Sequence, residues 1–131
     1  MRVLLLPVAG ESVAIDLASL RVVVGEPRLF PVPTSPAVVL GAVNVRGEVV
    51  PVLDTAKLLG IGSIAEPSFV VVVDHPYGAV AVAAEGTPGT AVLGELVAPG
   101  DLRGALGTYS TGETTVATLI DVAVLVEPEA A

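Results

Sequence analysis

One stretch of the sequence decides the fold: Gly41-Ala-Val-Asn-Val-Arg-Gly-Glu-Val-Val-Pro-Val-Leu-Asp54. Two Val-rich runs in it flank the dipeptide Arg46-Gly47. β-Branched residues favour strands, and a glycine supplies the positive φ that a tight two-residue turn requires. The stretch therefore predicts a β-hairpin with Arg46 and Gly47 at its tip.

A short helix is predicted directly after this hairpin. Asp54 ends the second strand, where an aspartate side chain can accept hydrogen bonds from the first free amides of a helix. The helix is expected to run from Thr55 to Leu59 and to end at Gly60, since glycine is the usual residue after a helix end.

The same order of features recurs near the end of the chain. Gly112-Glu113, a strand, Ile120-Asp121 and the apolar run Val122–Val126 follow one another. A turn glycine, a strand, an aspartate and an apolar helical turn thus occur twice. The repetition indicates two related small barrels, each closed by a short helix.

The rest of the chain also predicts mainly strands and turns. Segment 16–20 fits either a helical turn capped by Asp16 or a bend. Residues 27–36 contain four prolines, so they are predicted to form an extended connector and not a helix or a central strand. The remaining predicted strands are 2–8, 13–16, 21–24, 69–73, 79–84, 91–93, 96–98, 108–110 and 113–120. Turns are predicted at 10–11, 74–78 and 111–112.

Composition points to one globular domain. The chain has 131 residues, of which 53% are hydrophobic, and this excludes a disordered chain. Each apolar run ends well before the roughly 18 residues that a membrane-spanning helix needs, so no membrane insertion is expected. Residues 3–10 faintly resemble a signal peptide, but the alternation that follows favours a first strand and a cytoplasmic protein.

The charge argues against nucleic acid as a partner. The net charge is −8, whereas phosphate binding requires clustered Lys and Arg. Residues 1–57 hold five acidic and five basic residues, and beyond them nine acidic residues face only Arg103. This asymmetry either serves solubility or indicates that basic contacts to partners come from the first half.

The sequence offers few reactive groups for catalysis. It has one histidine, His75, and no cysteine, so a multi-histidine or thiolate metal site is unavailable. No serine lies in a nucleophile elbow, and no glycine cluster matches a phosphate-binding loop. We therefore predict no catalytic residue, no metal and no cofactor. Arg46 is then the most interesting side chain, either as a fork that binds a carboxylate or as an ordinary exposed turn residue.

Several stretches resemble the pattern of the CheW-like domain family. The 41–54 stretch matches nearly every position of the family run G-V-(I/V)-N-L-R-G-x-(V/I)-(V/I)-P-V-(I/V)-D-L, with Val45 where leucine is usual. The resemblance covers essentially the whole chain, strongly at 13–60 and loosely at 66–126. Its other stretches are Ala14-Ile15-Asp16-Leu17, Pro31-Val32-Pro33 with Pro36, and Leu119-Ile120-Asp121.

This resemblance implies an all-β fold with short helices. Two SH3-like, five-stranded β-barrel subdomains would pack on a common core and interleave within a single domain over residues 1–131, with a short disordered tail at 127–131. The implied function is non-catalytic. It is that of a chemotaxis adaptor, which couples the cytoplasmic hairpin tip of a chemoreceptor to the regulatory CheW-like domain of a chemosensory histidine kinase.

The resemblance also implies candidate partner-binding residues. Arg46 matches the family's signature turn and is the best candidate for a salt bridge to a partner or for bracing the receptor groove. Leu20 falls where the family presents an apolar residue to the receptor. The complete set of candidates is Arg46, Asn44, Gly47, Leu20, Val38 and Val39.

Two departures from the family pattern keep other functions open. Arg21-Val-Val-Val24 replaces the usual acidic residue followed by isoleucine, and the region 94–107 is short. These departures suggest a specialised adaptor of a pilus-type or other non-flagellar chemosensory pathway. A small-ligand-binding β-barrel is the alternative from a different functional class.

Overall fold

The Val-rich runs form strands, and glycine- and proline-containing segments join them. A computed structural model of the protein describes residues 1–76, 78–100 and 104–125. The strands are β1 (Arg2–Val8), β2 (Glu11–Asp16), β3 (Leu20–Gly25), β4 (Val39–Val45), β5 (Glu48–Leu53), β6 (Phe69–Val73), β7 (Val80–Ala84), β8 (Gly89–Val92), β9 (Leu96–Pro99), β10 (Ala105–Ser110) and β11 (Val116–Ile120). The helices are a 3-10 turn (Leu17–Ser19), α1 (Thr55–Leu59) and α2 (Val122–Leu125).

These strands form two sheets. One has six strands in the order β8-β1-β2-β11-β10-β9, and the other has five in the order β3-β6-β7-β5-β4. Most neighbours are antiparallel, but β11 pairs with β2 and β5 pairs with β7 in parallel. The chain enters the six-stranded sheet, crosses to the five-stranded one and returns to the first.

The repeat seen in the sequence is also a repeat of topology. The order β8-β1-β2-β11-β10 matches β3-β6-β7-β5-β4 strand for strand, with a parallel pair at the same place in each sheet. In both sheets a hairpin is followed by a short helix, α1 or α2. The predicted all-β fold of two related units is confirmed, and β9 makes one sheet larger by one strand than the predicted five.

A shared core lies between the two sheets. One cluster of buried side chains includes Leu6 and Ile15 from the six-stranded sheet and Val71 and Val82 from the five-stranded sheet. The two sheets also bond directly, because the Glu85 amide donates to the Pro7 carbonyl across 2.9 Å. A smaller cluster occupies the other face of the six-stranded sheet and consists of Val3, Ala14, Ala117 and Leu119.

Most predicted local features are confirmed. Asp54 caps α1, which ends at Gly60 in the left-handed conformation. Asp16 caps the 3-10 turn, which decides between the helical turn and the bend left open by the sequence. Phe30 in the proline-rich connector bridges to Ala42 at the edge of β4.

Among the predicted strand boundaries that are wrong is the start of β11. Residues 113–115 were expected to be strand, but β11 begins at Val116. The Thr111 amide donates to the Thr115 carbonyl across 2.9 Å, and the hydroxyls of these two residues are hydrogen-bonded as well. The side-chain bond supports a longer turn than the predicted Thr111-Gly112 pair, because threonine hydroxyls compete with strand pairing.

Parts of four predictions lie outside the described residues. The predicted turn at 74–78 includes Tyr77, the shortened region 94–107 includes 101–103, the apolar helical run ends at Val126, and the predicted tail is 127–131. Within the described ranges, no helix has the length and hydrophobicity required to cross a lipid bilayer.

Candidate partner-binding site

The tip of the β4–β5 hairpin is a tight two-residue turn. Val45 pairs with Glu48, so only Arg46 and Gly47 lie between the strands. Their φ angles are +52° and +87°, which is the left-handed pair of a type I′ turn. The Asn44 side-chain oxygen accepts a hydrogen bond from the Gly47 amide at 2.8 Å. Asn44 and Gly47 therefore fix the turn from which the exposed Arg46 side chain extends.

Within the described part of the chain, the Arg46 guanidinium at this tip forms no ion pair and no hydrogen bond. Among the described residues, neither ion pair involves it, and none of its nitrogens donates a hydrogen bond within the chain. Arg46 lines an open cleft of about 190 Å³ together with Val22, Val45, Arg21 and Glu48. A cation beside an apolar wall can pair with a partner's carboxylate while the wall buries the partner's carbon atoms.

A second arginine, Arg21 on β3, binds two carboxylates beside this cleft. Its Nη1 donates to Glu48 Oε2 across 2.7 Å. Its Nε donates to Asp74 Oδ1 across 2.9 Å, and Nη2 is hydrogen-bonded to the same oxygen. The hydrogen bond with Asp74, followed by the charges of Asp74 and Glu48, raises the pKa of Arg21 above its ordinary value although desolvation opposes this.

The Arg21–Glu48 contact also shows how the five-stranded sheet curls. β6 and β7 lie between β3 and β5 in the sheet order, so a flat sheet would separate β3 and β5 by about 14 Å at the usual strand spacing. A hydrogen bond of 2.7 Å joins their side chains, and the short Val22 and Val45 side chains of the two edge strands line one cleft. Together these contacts indicate that the sheet bends round on itself, as in a small barrel. Val22 and Val45 face the same cleft because of this curvature.

A groove lies between the two sheets close to the start of β3. It has a volume of about 150 Å³, and Ile15, Leu119 and Val73 form part of its apolar lining. Leu20, a candidate from the sequence, pairs with Val73 and is half-buried against the shared core. Asp74 lines the groove and also binds Arg21, so the groove and the hairpin tip are neighbours.

The other two candidates lie elsewhere. The Val38 carbonyl accepts from the Asp54 amide across 2.7 Å, and Val39 pairs with Leu53 at the far end of the hairpin. Val39 is seven positions from Arg46, which corresponds to roughly 23 Å along a strand. The structure thus brings Asn44, Arg46 and Gly47 together, with the Leu20 end of β3 nearby, and leaves Val38 and Val39 apart.

Several exposed residues were not singled out by the sequence reasoning. Arg21 was noted only as a departure from the family pattern. The edge strand β9 exposes Leu96 and Val97 by 55% and 60%, and Val49 near the hairpin tip is 60% exposed. Strand alternation at Glu48–Leu53 was a signal for Val49, because Val50 and Val52 on the other face are buried.

Comparison with known proteins shows the family of this chain. The profile of the CheW-like domain matches residues 2–129. The chain belongs to the CheW-like domain family. Membership confirms the resemblance inferred from the 41–54 stretch, and it supports a scaffold or adaptor of the chemotaxis type.

One curated relative shares sequence with this CheW-like chain, and one solved structure shares its fold. The chemotaxis protein CheW of Thermotoga maritima is 37% identical over 51 residues, which are 39% of this chain and 34% of that protein. The aligned stretch therefore spans about a third of that relative. The scaffolding protein TtCheW from Thermoanaerobacter tengcongensis superimposes with a TM-score of 0.82 at 18% identity, covering 97% of this chain and 92% of TtCheW. This second likeness establishes the fold.

Proposed function

We propose that this CheW-like chain is a cytoplasmic adaptor that couples chemoreceptors to a chemosensory histidine kinase. It would bind the cytoplasmic hairpin tip of a receptor and the regulatory CheW-like domain of the kinase, and it would do so without catalysis. The observation that carries the proposal is the Arg46 guanidinium, which extends from a rigid turn beside an apolar cleft and is not engaged within the described chain.

The hairpin tip suits recognition of a protein carboxylate. Arginine presents a planar fork that pairs with a carboxylate in a defined orientation. The tip is held by the Asn44–Gly47 hydrogen bond, so little conformational freedom is lost when a partner binds. Val22 and Val45 beside it add an apolar contact of the kind that surrounds a charged pair in protein interfaces.

The groove and the sheet edges suit the two proposed partners. A receptor hairpin tip is helical, and an apolar groove receives a helix through exposed side chains such as Leu106, which lines this groove and is 52% exposed. A kinase domain of the same fold would meet an exposed edge, and β9 offers Leu96 and Val97 there. Such contacts need not be strong individually, because receptor arrays bind through many sites at once.

Arg46→Ala tests the role of the hairpin tip. We expect it to weaken binding to the kinase regulatory domain or to the receptor fragment roughly 10-fold, since a charge-assisted hydrogen bond is lost. We expect little change in the melting temperature, because an exposed turn side chain contributes little to packing. Titration calorimetry with each purified fragment and parallel thermal melts provide the two measurements.

Arg2→Ala is the matched control, since it removes the same charge from an exposed position on β1 in the other sheet. Its binding should equal that of the unmodified chain. A large drop in melting temperature for Arg46→Ala would show that the side chain is structural. If Arg46→Ala and Arg2→Ala bind a partner equally well, Arg46 does not contribute to the interface.

The alternatives predict different outcomes in the same experiments. A pilus-type adaptor would bind the regulatory domain of a pilus-type kinase in preference to a flagellar one. A ligand-binding barrel would bind neither fragment and would melt at a higher temperature in the presence of a small metabolite.

A further inference from the structure

Glu48 is a potential competitor for the Arg46 guanidinium. The two residues flank Gly47 at the tip of the hairpin, both are exposed, and both line the same cleft. A carboxylate so near would normally pair with a free guanidinium. In the structure it does not, because Glu48 Oε2 accepts a hydrogen bond from Arg21 Nη1 at 2.7 Å.

We infer that Arg21 is a positioning residue that holds the Glu48 carboxylate away from Arg46 and so keeps the Arg46 guanidinium available to a carboxylate on a partner protein. This inference rests on the proposed function for the use of Arg46. The arrangement of Arg21, Glu48 and Arg46 within the unbound chain is independent of that function and is tested separately.

Asp74 explains why Arg21 is oriented toward Glu48. The Nε and Nη2 side of the guanidinium is bonded to Asp74 Oδ1, and the guanidinium is planar and rigid. With that side fixed, Nη1 points at Glu48. Asp74 follows β6 and Glu48 begins β5, so the arginine links two turns to the edge strand β3.

If Arg21 were removed, Arg46 would be the remaining cation beside Glu48 in this cleft. Arg21 and Arg46 are the two cations lining this cleft within the described residues. Replacing Arg21 by glutamine therefore frees Glu48 to pair with Arg46 inside the chain. A partner carboxylate would then have to displace Glu48 before it reached the guanidinium.

The first experiment uses the unbound chain of residues 1–131. The Nε–Hε NMR signal of Arg46 is compared between Arg21→Gln and the double variant Arg21→Gln/Glu48→Gln. We expect the signal to shift in Arg21→Gln, because a carboxylate now bonds the guanidinium, and to return to the unmodified position in the double variant. A signal that stays unmoved in Arg21→Gln overturns the inference.

The second experiment measures binding by the same variants. Titrations with the kinase regulatory domain and with the receptor fragment first identify the partner whose affinity depends on Arg46. For that partner we expect Arg21→Gln to raise Kd roughly two- to fivefold, the range that exposed ion pairs support. We expect the double variant to bind as the unmodified chain does.

The double variant distinguishes positioning from a structural role. If Arg21 merely stabilised the barrel, removing Glu48 as well would not restore affinity, and that outcome would overturn the inference. Binding of neither partner by the unmodified chain would instead overturn the proposed function. The NMR comparison would still decide in that case whether Arg21 keeps Glu48 from Arg46.

Discussion

Asp54 shows how one side chain organises a segment of this fold. It is completely buried, and its two oxygens serve different parts of the chain. Oδ1 accepts from the Lys57 amide and Oδ2 from the Ile64 amide, each at 3.0 Å. The first bond begins α1, and the second holds the segment after α1 against the core. Buried polar groups of this kind are costly to leave unpaired.

Asp54→Ala is therefore expected to destabilise the protein by about 2–4 kcal/mol, the combined effect of a lost helix cap and an unpaired buried amide. Urea denaturation followed by circular dichroism measures the change. Asp121→Ala is the matched control, because Asp121 Oδ1 contacts the Val124 amide at 3.4 Å. Its cost should be at most about 1 kcal/mol, and equal costs would contradict the special role of Asp54.

The β4–β5 hairpin is the element on which both proposals depend. Its six paired positions between Val39 and Glu48 include a register shift near Gly41, where a side chain would approach the Phe30 carbonyl to 2.8 Å. At the other end the turn places Gly47 at a φ of +87°. Gly41 is thus needed because a side chain there would collide with the Phe30 carbonyl, and Gly47 is needed because the turn requires a positive φ.

Gly47→Ala is expected to lower the free energy of unfolding by about 1 kcal/mol, because a Cβ in the left-handed region is strained. The space around Gly47 is open, so the loss would come from the backbone and not from a clash. Gly89→Ala is the control, since its surroundings are equally open and its φ is not positive. It should be neutral or slightly stabilising, and a loss as large as that of Gly47→Ala would argue against turn strain.

At the scale of the whole molecule, the two sheets depend on one another. β1 of the six-stranded sheet contacts β7 of the five-stranded sheet, and Leu6 at the centre of β1 has no exposed surface. The cluster that buries Leu6 contains side chains from both sheets, so neither sheet buries this side chain alone. We therefore propose that residues 1–131 fold as a single domain, as the sequence predicts.

Leu6→Ala tests this cooperativity. Removing a fully buried leucine should cost about 2–5 kcal/mol, and both sheets should lose stability together. Calorimetry is expected to give one transition with equal calorimetric and van't Hoff enthalpies, and hydrogen exchange should accelerate in β6 and β7 as well as in β1. Two separate transitions, or an effect confined to the six-stranded sheet, would contradict the single domain.

The sequence by itself determined what lies within a few residues along the chain. Two Val-rich runs in 41–54 defined two strands, Arg46-Gly47 defined the turn, and Asp54 defined the start of a helix. These features depend on local backbone geometry and on hydrogen bonds between near neighbours. The recurrence of turn glycine, strand, aspartate and apolar helical turn near the end of the chain predicted two related units, which the topology confirms.

Only the tertiary structure decided which distant side chains meet. Arg21 lies 27 positions from Glu48 and 53 positions from Asp74, and their contact exists because the five-stranded sheet curls until β3 approaches β5. The separation of Val38 and Val39 from the hairpin tip, by contrast, follows from the extended length of β4. Contacts such as those of Arg21 follow from strand order and sheet curvature, which are set by burial of the whole core and are not encoded at any single position.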